Sequence, residues 1–255
     1  MVRMLQKWNG AGNDFLVDVG SARDLEQWNA DSARRVCDRI EGLGADGLLL
    51  VASDSVPPTM TLFNADGSLA GMSGNGIRCL VGALRRATQS DWSDVVIETA
   101  AGRRAVHVDM ENPEKGRGSV SMGVVAFRTT PHEALGAADV GNPHVVVRDR
   151  AEWSDTDREK LARRYQEQEG GANVEFVSVI HPGRVAIKVY ERGVGWTQAC
   201  GTGSVATAAI MHSLGETGTR IVVENPGGEL VVTLDGSAAT LGGPMVFEYE
   251  REWAL

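Results

Sequence analysis

The chain has 255 residues, 42% hydrophobic and 23% charged, the make-up of an ordinary folded protein long enough for one large domain or two compact ones. A formal charge of -9 without a Lys/Arg block argues against electrostatic binding to nucleic acid or anionic membranes and favours a small-molecule partner. The 3 cysteines, Cys37, Cys79 and Cys200, are an odd and sparse set without metal-ligand spacing, which argues against a disulfide framework or a structural zinc site and leaves a reactive thiol as the natural role for any special cysteine.

The N-terminal segment Met1–Lys7 lacks the apolar region of a secretory signal, and apolar runs such as Gly47–Ala52 fall far short of the ~20 residues a membrane span needs. A cytoplasmic protein is expected. In chain order, the pattern predicts a strand at Leu16–Val19, a helix over Ala30–Glu41, strands at Gly47–Val51 and Thr59–Phe63, and a helix over Asn75–Ala87. Strands follow at Val95–Thr99, Ala105–Asp109 and Val145–Arg148, then a helix over Ser154–Gln168. Strands at Glu175–Ile180 and Ala186–Tyr190, a helix over Thr202–Leu214 and a strand at Glu229–Leu234 complete the set. Short strands between glycine-rich turns, interrupted by a few helices, indicate an α/β or α+β fold.

Met72-Ser-Gly-Asn-Gly-Ile77 and Ala199-Cys-Gly-Thr-Gly-Ser204 share one pattern about half the chain apart, each leading into a helix. This suggests two related halves, each sending a loop and a helix start to a shared cleft. Polar Met110–Gly118, with its Pro and Gly, is the candidate linker. A thiol before Gly-Thr-Gly at a helix start lies near unpaired amides and the positive helix end, which lower thiol pKa and also bind carboxylates. Cys200 then reads as an activated base beside an anion site. The alternative, a small residue packing the Ala-rich helix after it, stays open on this pattern alone.

Further motifs narrow the choice: Asn9-Gly-Ala-Gly-Asn-Asp-Phe15, Gly44-Ala-Asp-Gly47, Phe63-Asn-Ala-Asp-Gly-Ser68, Ser73-Gly-Asn-Gly-Ile-Arg-Cys79, Gly141-Asn-Pro-His144, Asn173-Val-Glu-Phe176 and Glu191-Arg-Gly-Val-Gly-Trp-Thr-Gln-Ala-Cys-Gly-Thr-Gly203. In order and spacing they resemble the diaminopimelate epimerase family across almost the whole chain. The resemblance implies two pseudo-symmetric domains, each a curved, mostly antiparallel sheet around a central helix, with the active site in the cleft between them. The halves would be residues 1–114 with a C-terminal strand at about 243–255, and residues 115–242. It implies pyridoxal-independent epimerisation of LL- to meso-2,6-diaminopimelate, in lysine biosynthesis, by two cysteines acting on opposite faces of the α-carbon. No organic cofactor or metal is expected, and a homodimer is common in the family.

Residue by residue, the resemblance puts Gly74, Asn75, Gly201 and Thr202 on the reacting carboxylate and Asn13 and Glu191 near the reacting amino group. Asn64, Asn142, Asn173 and Arg192 would hold the distal end, where a guanidinium can grip a carboxylate through two hydrogen bonds. His144 would tune a catalytic thiol, and the resemblance counts Cys200, His144 and Glu191 among the catalytic residues. Where the family has its other catalytic cysteine, this chain has Ser73. A thiol of pKa about 8.5 can be brought towards neutrality, whereas a hydroxyl is far less acidic and needs a base of its own. Three accounts fit: a substitution made to trap ligand, a natural variant working through Ser73 or water, and a homologue turned to other chemistry. The competing functions are a related racemase or isomerase with another substrate, and an amino-acid-binding protein without turnover.

Overall fold

The computed structural model describes Met1–Leu255 as two compact units, Met1–Ser121 with Gly243–Leu255, and Met122–Gly242. In the first unit β1 (Val2–Gly10) turns back into β2 (Asn13–Gly20) through Ala11 and Gly12, both at positive φ (56° and 89°), as a two-residue hairpin turn requires. The short α1 (Ala22–Leu25) and α2 (Ala30–Cys37) lead to β3 (Gly47–Ala52), parallel to β2, and β4 (Thr59–Asn64), antiparallel to β3. After β5 (Leu69–Ala70) comes α3 (Gly74–Thr88), then the antiparallel run β6 (Asp94–Ile97), β7 (Arg104–Asn112) and β8 (Lys115–Val124). Leu48 and Leu50 of β3 pack with Ala33, Val36 and Cys37 of α2, and α3 also contacts β3, so the whole strand is buried and reads as an unbroken apolar run.

The second unit repeats this order. After β9 (Ala126–Arg128), β10 (Gly136–Asp139) pairs antiparallel with β11 (Pro143–Arg148). Beyond α4 (Asp155–Gln168), β12 (Asn173–His181) runs parallel to β11, and β13 (Arg184–Glu191) runs antiparallel to β12. Short β14 (Gly195–Thr197) precedes α5 (Gly201–Ser213), followed by β15 (Arg220–Asn225), β16 (Gly228–Asp235) and the start of β17 (Ala238–Ala254), whose residues from Gly243 onward belong to the first unit, where the strand pairs with β1. The mixed sheet of each unit surrounds one helix, with α3 against β1, β2, β3 and β7 and α5 against β10, β11, β12, β15 and β16. No helix is long and apolar enough to cross a membrane.

Two expectations are corrected. The helix predicted over Ala30–Glu41 ends at Cys37, because the Asp38 carboxylate accepts from the Ile40 and Glu41 amides (2.7 and 2.8 Å) and turns the chain. Met110–Gly118 is not a linker. It is the β7–β8 hairpin, turned at Pro113 and Glu114, and the chain leaves the first unit later, between Ser121 and Met122.

Candidate active site

In the first unit Ser73 is the N-cap of α3, and its Oγ accepts from the Gly76 amide at 3.0 Å. Buried Asn75 donates through Nδ2 to Asn13 Oδ1 at 2.6 Å and accepts at Oδ1 from Arg78 at 2.8 Å. Asn13 in turn donates to Asp46 at 3.2 Å. Behind it Asp14 pairs with Lys7 and Arg39, and although burial opposes ionisation, their hydrogen bonds hold its carboxyl well below the usual range. Ser73, Gly74, Asn75 and Asn13 thus meet at one helix start. Exposed Asn64, paired across the sheet with Gly47, makes its side-chain hydrogen bond to Ser68 Oγ at 2.9 Å. Cys79 packs against β1, where a Cβ on Gly10 would come 3.0 Å from its Sγ, and burial pushes its thiol up to about 12.

In the second unit Cys200 is the N-cap of α5, with Sγ accepting from the Gly203 amide at 3.4 Å and lying 3.5 Å from Thr202 Oγ1. Asn225 Oδ1 accepts from the Cys200 amide at 3.3 Å. Glu191, at the end of β13, accepts from Thr197 Oγ1 at 2.6 Å, and burial raises its carboxyl above the usual value. Fully buried His144 and Glu175 meet at 2.7 Å through Nδ1 and Oε1, and His144 Nε2 lies 3.0 Å from Asn142 Oδ1. Glu175 reaches the first turn of α5 because position 203 is glycine: a Cβ there would sit 2.4 Å from its Oε1. Its other oxygen, Oε2, has no partner.

The sequence pointed to a thiol activated by the helix start, and at Cys200 burial and nearby carboxylates act against that activation. Burial, followed by the charges of Glu191 and Glu175, pushes Cys200 well above the ordinary thiol value, outweighing its hydrogen bonds with Thr202 and Gly203. In these surroundings the Cys200 side chain rests as a thiol, with the Glu191 carboxyl beside it. Asn173 accepts from the Arg192 amide at 2.9 Å, leaving the Arg192 guanidinium exposed and without an ion pair in the protein.

Sequence reasoning missed Arg78, Glu175, Thr197 and Asn225. Arg78 and Glu175 each lay inside a motif already singled out, where a charged residue within an apolar stretch was the available signal.

The diaminopimelate epimerase family model matches residues 6–127 and 136–247. A diaminopimelate epimerase of Desulforudis audaxviator is 36% identical over 272 residues, covering 97% of this chain and 98% of its own. Another from Coxiella burnetii is 32% identical, covering 97% of each. Among solved structures, a predicted epimerase from Pseudomonas aeruginosa aligns over 99% of both chains with a TM-score of 0.78 at 14% identity. A hydroxyproline epimerase from Agrobacterium vitis aligns over 100% of this chain and 91% of its own, with a TM-score of 0.75 at 18% identity. These two share the fold. The profile match and the full-length relatives show that this chain belongs to the diaminopimelate epimerase family of isomerases.

Proposed function

We propose that the protein interconverts LL- and meso-2,6-diaminopimelate by a two-base reaction in which Cys200 serves one face of the α-carbon and residue 73 the other. The observation that carries this reading is the start of α5, where a thiol, a carboxylate of raised pKa and a helix start stand together at Cys200. Removing an α-proton leaves a carbanion whose charge spreads onto the carboxylate, and fixed amides at a helix start stabilise that charge without reorganising. Gly201 and Thr202 supply such donors in the second unit, and Gly74 and Asn75 in the first. Glu191, whose carboxyl pKa is raised by burial, receives or returns the Cys200 proton. The exposed, unpaired Arg192 guanidinium, on a backbone held by Asn173, suits a distal carboxylate, which favours diaminopimelate over a substrate with an apolar end.

Ser73 limits this chemistry. Its Oγ keeps the capping hydrogen bond from Gly76, so ligand binding is retained, but a hydroxyl is a poor base without a neighbouring acceptor. Epimerisation of diaminopimelate is to be measured for this chain beside Ser73→Cys. The expected result is a gain in kcat of about 10²-fold or more with little change in KM. No inversion by either protein, with binding of meso-diaminopimelate intact in calorimetry, would replace the enzyme reading with a binding role.

A further inference from the structure

Arg78 of α3 is fully buried, and no carboxylate stands against it: the charged or titratable neighbours that act on it are Cys79 and Arg117. Long side chains in a helix point back towards its N-terminus, so the guanidinium is carried to the first turn. There it donates to the Gly74 carbonyl and to Asn75 Oδ1, each at 2.8 Å, while its Nε has no partner. The strand beside it makes room, since a Cβ on Gly118 of β8 would come 3.2 Å from the Arg78 Cδ and Cγ. Burial lowers the Arg78 pKa to about 10, which leaves it charged at neutral pH. A buried charge is normally tolerated only when paired.

Within the first unit nothing else supplies the missing negative charge. The cluster reached through Asn13 sets Lys7 and Arg39 against Asp14 and Asp46, two cations against two carboxylates. Arg117 on β8 is exposed and adds to the positive side, and Glu248 on β17 is an exposed carboxylate whose charge acts on Cys79. We infer that Arg78 is a positioning residue whose buried charge, directed through Gly74 and Asn75, makes the residue-73 end of α3 select an anion. That anion is the substrate carboxylate and, with cysteine in place of Ser73, its thiolate. The inference rests on the epimerase reading for the identity of the substrate anion, but not for the charge itself. It gives the two helix starts opposite resting states, one suited to taking a proton and the other, at Cys200, to giving one.

The test needs no substrate. In Ser73→Cys, the pH dependence of iodoacetamide alkylation is followed at residue 73 by mass mapping, with and without Arg78→Gln or Arg78→Lys. The expected midpoint for Ser73→Cys alone lies below the ordinary thiol value of about 8.5, Gln raises it by about one unit, a tenfold loss of thiolate, and Lys raises it by less than half as much. A midpoint at or above the ordinary value, or a Lys variant shifted as far as Gln, overturns the inference. The first of these readouts holds even where the Gln variant does not fold. A depressed midpoint without epimerisation would sink the proposed function alone, and restored epimerisation without the depression would sink the role of Arg78 alone.

Discussion

Ser73 and Cys200 cap α3 and α5 with similar backbone angles, φ -132° and ψ 125° against φ -125° and ψ 112°, and each side chain accepts from the amide of a following glycine. Their surroundings carry opposite charge. Behind Ser73 lies the buried guanidinium of Arg78, and around Cys200 lie the fully buried carboxylate of Glu175 and the partly buried one of Glu191. A duplicated backbone has thus been given two electrostatic characters by side chains outside the shared Gly-polar-Gly pattern. The lesson is that helix-start geometry alone does not set a thiol's acidity: at Cys200 burial and carboxylates overcome the helix end.

The largest expected effect breaks the chemistry at one end only. Cys200→Ala should lower α-proton exchange by about 10³-fold and leave meso-diaminopimelate binding, followed by calorimetry, within a few-fold of the parent. Next comes a matched pair of glycine substitutions. In Gly203→Ala the new methyl would meet Glu175 Oε1 at 2.4 Å in a fully buried spot, so urea unfolding should show a loss of about 1–3 kcal/mol. In Gly76→Ala the nearest atoms stand at 3.1–3.3 Å, and the better helix propensity of alanine, worth about 1 kcal/mol, should leave stability near neutral. Equal costs at the two positions would contradict the account of Glu175 as a residue packed into the start of α5.

Removing charge while keeping shape separates electrostatics from packing. In Glu175→Gln one of the two carboxylates that hold Cys200 in its thiol form is gone, so the pH profile of exchange at the Cys200 face should move down by about one unit, tenfold in rate at fixed pH. The smallest effect is on alkaline stability. Because the folded Cys200 keeps its proton above the pH at which an unfolded thiol loses it, about 8.5, the native state binds more protons there and stability falls as pH rises. Cys37 and Cys79, both pushed up to about 12, share this behaviour. Cys200→Ala should therefore flatten, without abolishing, the loss of melting temperature between pH 8 and 10.

Much of the scaffold was legible because its punctuation is chemical: Gly-polar-Gly after Ser73 and Cys200 marks two helix starts, and the apolar run Gly47–Ala52 marks a strand covered on both faces. β1 was missed because Gln6 and Lys7 break its pattern, yet both are buried, Lys7 against Asp14 and the Gly44 carbonyl, Gln6 against the Ala83 carbonyl and Trp8. The same blindness hid the two charges that set the helix starts apart. Arg78 lies off the Ile77, Leu80, Val81, Leu84 stripe and reads as a solvent-facing residue, but every residue from Gly74 to Leu84 is buried because a sheet surrounds α3. Glu175 reads as the outward face of an alternating strand, but α4 and α5 both pack on β12 and bury Asn173–Val177 throughout. Periodicity reports one covered face. It does not report a second cover contributed by elements distant in sequence.

The central claim is that this chain keeps one competent thiol, Cys200, while Ser73 limits the other face. Incubating LL- and meso-diaminopimelate separately in deuterated water, and following α-deuterium and configuration together, tests it most directly. The account predicts label entering from one stereoisomer faster than inversion occurs, and both isomers labelling and inverting in Ser73→Cys. Equal, rapid labelling and inversion from both isomers with Ser73 in place would contradict it.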